Sequence, residues 1–456
     1  MFKKKRKTTL RGIRPLAAPG TGWRGYQHRI RLHDEKRQAR RRIPYYFLAL
    51  LFLAACIEGG FYVLEKRLSS HTDMPVSLYP PDVDPVDIDG LRALLEPSVL
   101  HNPTGSEIEF VSGEHKYQLY TGIDPDLQEA VTDSFDTRHA NRIGIVAMHP
   151  GTGQVLAMAS HDTDDPDRNA CFAADLPAAS IYKIVTAAAA MEKTEIGYDS
   201  TIPFNGGKFT LYRNQLTNQT HQYTNYTTLK TAFAESINPV FGKLGKNELG
   251  KSLLEEYGHA YLFGRSFGFD VAVQKSVLEI SDTPYHWAEI ASGFNRETTV
   301  SPLHAAMIAA SIANDGDMMR PWVVRAAARD NQTVYRYRPE VISGTVRPET
   351  AKTMQKLMEA TIREGTARNQ FTRMGSDPVL SKLKMGGKTG SINNNQRRIR
   401  YDWFTGYAKD PGGSGEIAIS VIVAHKEYIG KRAATYFQEA VKHYFEGRIG
   451  SNGQES

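Results

Sequence analysis

Between Ile43 and Leu64 the chain reads IPYYFLALLFLAACIEGGFYVL, 22 residues in which Glu58 is the one charge. A run of that length and polarity matches a helix that crosses a bilayer. Arg40, Arg41 and Arg42 stand directly before it, and Lys66 and Arg67 follow. The stronger cation excess on the N-terminal side predicts that this side stays cytoplasmic and that the long C-terminal part lies outside. Tyr45, Tyr46 and Tyr62 sit where aromatic rings anchor at an interface. Glu58 is costly inside a membrane, but Gly59 and Gly60 beside it let the fully apolar part end at Ile57. The alternative reading takes Leu53-Ala54-Ala55-Cys56 as a lipobox with an acylated cysteine. The preceding 42 residues are long for a signal segment, which favours an uncleaved anchor; both readings export the same domain.

The charge distribution fits that division. The first 42 residues hold 15 Lys or Arg against Asp34 and Glu35, so of a net +6 they contribute +13 and the remainder −7. A basic tail of this kind can also bind nucleic acid, but here it abuts an apolar span, and no nucleic-acid partner is expected. Two cysteines, Cys56 and Cys171, leave no room for a disulfide framework or a cysteine metal site.

Residues 65–115 are rich in Pro, Asp and Ser and read as a stalk with one short helix near Leu91–Leu95. Regular patterning starts near Lys116 and predicts a catalytic domain over 116–446, with 447–456 as a disordered tail. The apolar runs Ile143–Met148 and Gln154–Ser160 flank His149-Pro150-Gly151-Thr152-Gly153, the signature of a hairpin. Helical patterns cover Ser180–Met191, 302–314, 349–363 and about Arg432–Phe445. Lys384–Ser391, Trp403–Ala408 and Glu416–Val423 read as strands. Strands at both ends around a helical middle predict an α+β domain whose terminal hairpins share one sheet.

Three short motifs carry chemistry. In Ser180-Ile181-Tyr182-Lys183 a helical spacing of three brings the lysine amine to the serine hydroxyl. A serine becomes a nucleophile when a neighbouring base takes its proton, and a lysine is a base only when burial or a nearby cation removes its charge. Ser236-Ile237-Asn238 offers a hydroxyl and an amide two residues apart, able to pass a proton to a leaving amine and to hold a substrate backbone. Lys388-Thr389-Gly390-Ser391 combines a cation, two hydroxyls and a glycine on a strand, which suits an extended peptide with a free carboxylate. Each motif alone has an ordinary explanation: a helix N-cap, a turn before Pro239, a Gly-rich hairpin.

In this order and context the three motifs resemble the active site of the penicillin-binding protein and serine β-lactamase superfamily. The likeness extends over about 120–446. It takes in the Asn141–Ser160 hairpin, Thr299-Val300-Ser301-Pro302-Leu303 with Asn314-Asp315-Gly316, Gly365-Thr366-Ala367, and Asp402-Trp403-Phe404-Thr405-Gly406-Tyr407. The resemblance implies a transpeptidase-like fold, a central antiparallel sheet flanked by helices, behind the membrane helix. It implies that Ser180 attacks the D-Ala-D-Ala bond of a peptidoglycan stem peptide, that Lys183 is its base, and that Ser236, hydrogen-bonded to Lys183, relays a proton. Asn238 would orient Lys183 and the substrate amide. Lys388, Thr389, Gly390 and Ser391 would take the terminal carboxylate or that of a β-lactam, and the Ser180 and Ser391 N–H groups would form the oxyanion hole. No cofactor or metal is implied. Partners would be stem peptides, β-lactams and unidentified cell-wall synthesis proteins. Ser391 stands where the family usually has threonine, keeping the hydroxyl. The short stretch between the span and Ile143 is expected to leave no room for a glycosyltransferase domain or a large pedestal.

The resemblance leaves a D,D-carboxypeptidase or a β-lactamase open as alternatives. Against the latter, a class D enzyme usually carries Val at the position of Asn238, and no class A deacylating glutamate is found. A non-catalytic scaffold is disfavoured by three intact motifs. The basic segment Asn393–Arg400 reads as a solvated loop, or as a contact for acidic stem peptides.

Overall fold

The strands at the two ends of the domain meet in one sheet. In the computed structural model the described residues are 86–394 and 399–449. The basic tail, the apolar run 43–64 with Cys56, the first part of the stalk and residues 450–456 lie outside them. Among the described residues no helix is long and apolar enough to cross a membrane.

From Val86 the chain departs from the expected stalk. Helix α1 (Ile88–Leu94) is capped by Asp87, whose side chain accepts from the Gly90 N–H at 2.8 Å. It buries Leu91, and the turn after it buries Leu100. Strands β1 (Glu107–Ser112) and β2 (His115–Thr121) follow. Burial of these leucines against the domain outweighs the Pro- and Asp-rich composition on which the stalk reading rests.

Helix α2 (Pro125–Asp133) leads into β3 (Ala140–Met148) and β4 (Val155–Asp162). The middle of the chain carries α3 (Lys183–Lys193), the small ribbon β5 (Thr201–Phe204) with β6 (Asn225–Thr228), then α4 (Leu229–Ala234), α5 (Asn238–Lys243), α6 (Gly250–Ala260), α7 (Pro284–Ser292) and α8 (Pro302–Ala313). Strands β7 (Asp317–Met319), β8 (Val324–Arg329), β9 (Gln332–Arg336) and β10 (Val341–Gly344) precede α9 (Pro348–Arg363). The domain ends with β11 (Lys384–Asn394), β12 (Ile399–Lys409), β13 (Glu416–His425) and α10 (Ala433–Phe445).

The central sheet has the order β11-β12-β13-β3-β4, antiparallel throughout. Its seam joins chain positions far apart, with Ile143 opposite Val423. Side chains alternate between its faces. Val146, Met148, Trp403 and Ile422 pack in the core that includes α3 and α8, whereas Ile143, Ile145, Phe404 and Val421 pack with α2 and α10. Both faces are covered, which is why these strands read as nearly unbroken apolar runs. Every residue of α8 is buried, as befits a helix apolar on all sides. A second sheet, β1-β2-β8-β9, is built partly from the segment expected to be stalk. At the C-terminus, Arg448 is tied to Asp124 at 2.7 Å, so ordered structure runs past the expected end of the domain at 446.

Candidate active site

Pro177, Ala178 and Ala179 lead to a 3-10 turn, Ala179–Tyr182, that runs directly into α3. Ala179 takes the left-handed conformation, φ +48°, immediately before Ser180. Strain of this kind costs on the order of 1–3 kcal/mol and survives where the surroundings dictate it. Here the surroundings include Gly293, which follows α7 with φ +63°. A Cβ on Gly293 would stand 1.8 Å from the Ala179 carbonyl oxygen and 2.9 Å from the Ser180 nitrogen. The two left-handed residues pack backbone to backbone and fix where Ser180 points.

One turn on, Lys183 is fully buried, and its Nζ lies 2.8 Å from Ser180 Oγ. The same nitrogen lies 2.8 Å from Asn238 Oδ1 and donates to the Ser292 carbonyl. Both oxygens are carbonyls, so they only accept. A neutral amine satisfies them with its two N–H bonds and keeps its lone pair for the Ser180 hydroxyl. Burial, and then the nearby Lys388 ammonium, push the Lys183 pKa well below the ordinary lysine range.

Ser236 follows α4 in the left-handed conformation, φ +58°. Its Oγ accepts from Lys388 Nζ at 3.0 Å. The hydrogen bond expected between Ser236 and Lys183 is thus replaced by one to Lys388, because Asn238 and the Ser292 carbonyl already occupy the N–H bonds of Lys183. Asn238 opens α5 and donates through Nδ2 to the Phe209 carbonyl at 3.1 Å, which fixes the face its oxygen presents. Lys388 is fully buried on β11, over the Phe233 ring at 5.5 Å, and also donates to the Thr389 carbonyl. Burial lowers its pKa to about 7.

The cleft, about 620 Å³, is lined by Ser180, Ser236, Asn238, Thr389 and Ser391 together with Thr366, Phe209, Phe294, Arg296 and Arg400. The motif hydroxyls and amides thus share one cavity with Lys183 and Lys388 beneath it. Thr389 exchanges a hydrogen bond with Thr366 at 2.5 Å. Ser391 Oγ lies 3.4 Å from Asp402, a buried carboxylate held by Arg432 at 2.7 and 2.9 Å and by the Ala433 N–H at 3.0 Å. Burial alone would raise the pKa of Asp402; the His425 ring 3.6 Å away and the bonds from Arg432 and Ala433 outweigh it and hold it low. Gly390 faces Trp403, Ile181 and the Ala178 carbonyl, so the room it leaves is taken up by the turn that carries Ser180.

Sequence reasoning passed over Gly293, the Ser292 carbonyl, Arg296 and Arg432. A main-chain oxygen has no residue-type signature, and isolated arginines have no spacing to recognise. Cys171, the free cysteine in the described region, is buried and hydrogen-bonded to backbone, with its pKa pushed up to about 12. Among the described residues no group of three His, Cys, Asp or Glu could hold a metal ion.

The penicillin binding protein transpeptidase domain matches residues 143–442. Among curated proteins, "Peptidoglycan D,D-transpeptidase PbpA" of Mycolicibacterium smegmatis is 26% identical over 66% of the chain and 66% of its own length, just under two thirds. "Stage V sporulation protein D" of Bacillus subtilis is 24% identical over 58% of the chain and 42% of its own length. Among solved structures, an imipenem acyl-enzyme complex of penicillin-binding protein A from M. tuberculosis superposes with a TM-score of 0.57 at 21% identity, covering 72% of the chain and 79% of that structure. The D,D-transpeptidase domain of a peptidoglycan glycosyltransferase from Eggerthella lenta gives 0.60 at 20% identity, covering 81% and 92%. Two thirds of the chain answers to one domain description, and the sheet, the helices and the order of the motifs agree with it: the chain belongs to the penicillin-binding protein transpeptidase family.

Proposed function

We propose that the chain is a membrane-anchored peptidoglycan D,D-transpeptidase that works through an acyl-enzyme on Ser180. The observation that carries this reading is the 2.8 Å approach of a buried lysine, its N–H bonds already taken by two carbonyls, to a serine hydroxyl in an open cleft. In the proposed reaction Ser180 Oγ forms a bond to the penultimate D-Ala carbonyl carbon while Lys183 takes the hydroxyl proton. The C–N bond to the terminal D-Ala then breaks as a proton reaches the departing amine, with Ser236, held by Lys388, as the relay. Lys388, Thr389 and Ser391 receive the terminal carboxylate, and the Ser180 and Ser391 N–H groups receive the developing oxyanion. An amine of a second strand attacks the ester, releases Ser180 and leaves a cross-link. A β-lactam enters by the same route and stays as the acyl adduct. Residues 43–64 serve as the anchor, 1–42 as the cytoplasmic tail, and the domain works on the outer face of the cytoplasmic membrane.

Fluorescent penicillin, read by gel and intact mass, tests the acyl-enzyme. Ser180→Ala should lose all covalent labelling with its melting temperature unchanged; persistent labelling would move the nucleophile elsewhere. Product analysis from a stem peptide with an acceptor amine should yield a cross-linked dimer. Release of D-alanine alone would make the enzyme a carboxypeptidase, and rapid loss of the penicilloyl group a β-lactamase. Deleting residues 1–64 should free the protein from membranes without slowing labelling.

The pH dependence has a defined sign. Lys183 acts as a base only when neutral, and Lys388 attracts a carboxylate only when protonated. With the Lys388 pKa near 7, second-order acylation by a carboxylate-bearing substrate should decline as pH rises through about 7. A rate that climbs steadily from pH 6 to 10 would remove Lys388 from that role.

A further inference from the structure

β11 is the edge strand of the central sheet, and the cleft continues along it past the groups already described. Lys388, Thr389 and Ser391 lie at one end of that stretch. At the other, Asn393 faces Arg400 across the β11–β12 ladder, and Arg296 donates through Nη2 to the Asn393 carbonyl, spanning the end of the cleft. Phe294 stands beside Arg296 on the same wall.

The two arginines differ from others of the domain. Arg432 is held by Asp402 and Arg142 by Asp162 and Asp175. Neither Arg296 nor Arg400 has a carboxylate partner among the described residues. The Arg400 Nε is buried and has no hydrogen-bond acceptor among the described residues. The adjacent acid, Glu297, accepts the Arg296 main-chain N–H, and the one partner of the guanidinium among the described residues is the neutral Asn393 carbonyl. A buried guanidinium N–H without an acceptor is costly, and an anion that reaches it gains a charge-assisted, directional bond. Both arginines line the cleft that receives the substrate.

Position fixes which part of a substrate would meet them. An extended peptide advances about 3.3 Å per residue, so two residues along β11 from Ser391 correspond to roughly 7 Å. With the terminal carboxylate near Thr389 and Ser391, the side chain of the residue preceding D-Ala-D-Ala comes to the Asn393–Arg400 end. Resting on the proposed acylation of Ser180, we infer that Arg400 and Arg296 form a subsite for an anionic side chain on that residue. The enzyme then selects donor peptides with a free carboxylate there over donors in which it is a carboxamide or an ammonium group. The carboxamide keeps the shape but accepts with one oxygen and no charge; the ammonium repels both arginines.

The experiment compares three synthetic donors ending in D-Ala-D-Ala that differ only in this side chain: carboxylate, carboxamide and ammonium. Release of D-alanine with an acceptor amine gives kcat/KM for each. The carboxylate donor should exceed the carboxamide by about tenfold and the ammonium donor by more. Arg400→Met combined with Arg296→Met, which keeps much of the apolar stem, should collapse the carboxylate-to-carboxamide ratio to near one. The ratio is internal to each protein, so a general loss of activity does not imitate the effect. Lys352→Met, an exposed cation on α9, should leave the ratio as in wild type and thereby separates the subsite from the overall field. Equal turnover of carboxylate and carboxamide donors by wild type, or an unaltered preference in the double variant, would overturn the subsite. A wild-type protein that neither releases D-alanine nor is acylated by a β-lactam with a neutral side chain would instead overturn the Ser180 reading beneath it.

Discussion

With Lys183 replaced by methionine, acylation of Ser180 by a penicillin is expected to slow by about 10³-fold or more while the domain stays folded. Methionine keeps the volume of the buried stem and removes the nitrogen. Three partners lose it at once: the Ser180 hydroxyl, Asn238 Oδ1 and the Ser292 carbonyl. Two of these are left as buried acceptors, at a cost of roughly 1–3 kcal/mol each. Against this stands relief from burying the polar amine itself, whose charged form burial and the Lys388 ammonium already disfavour. A modest net loss of stability is therefore expected beside a large loss of rate. Stopped-flow acylation with a chromogenic β-lactam, alongside thermal unfolding, separates the two. Retention of wild-type acylation in a folded Lys183→Met protein would show that another group takes the Ser180 proton.

Gly293→Ala is expected to be nearly as damaging although no atom of Gly293 takes part in the reaction. Alanine at φ +63° carries a conformational cost of about 1 kcal/mol, which alone is tolerable. The overlap is not: the new methyl would sit 1.8 Å from the Ala179 oxygen and 2.3 Å from its carbonyl carbon, both main-chain atoms. Either the end of α7 retreats, taking the Ser292 carbonyl away from Lys183, or the Ala179–Ser180 turn shifts. A displacement of about 1 Å at a reacting centre can cost on the order of 10²-fold in rate. The expected result is acylation slowed by about that factor with a lowered melting temperature. Labelling at the wild-type rate would mean that the turn tolerates movement and that its conformation is not what aims Ser180.

What could be read from the residues, and what could not, follows from the range of the interactions. The approach of Lys183 to Ser180 needs only a helical spacing of three, and the hairpins at 143–160 and 384–425 need only apolar alternation and turn residues. The α+β architecture with shared terminal strands follows from those local signals. The Ser292 carbonyl reaches Lys183 from 109 positions away, and nothing in the residue type at 292 marks that oxygen. The same holds for Ser236: its motif was legible, but its pairing with Lys388 instead of Lys183 depends on which acceptors fill the space around each amine. In the stretch before Lys116, Ile108 and Phe110 did alternate with polar neighbours. Such alternation is short and lies beside Pro- and Asp-rich sequence, and it takes β8, some 200 residues later, to complete the sheet β1 and β2 belong to.

The seam between β13 and β3 sets the timetable on which such a chain can mature. The hairpin of β3 and β4 is made early, but its bonding neighbour, Glu416–His425, leaves the ribosome some 270 residues afterwards. At 5–20 residues per second that is a delay of roughly 15–50 s, during which one flank of the hairpin has no native partner. Such late, long-range pairing makes for slow folding and for a nascent chain that invites wrong partners. A message truncated just ahead of codon 416 would thus yield more than a protein lacking a strand and a helix: the first hairpin and the Lys388 hairpin would have no bridge between them, and degradation is the expected fate of the product.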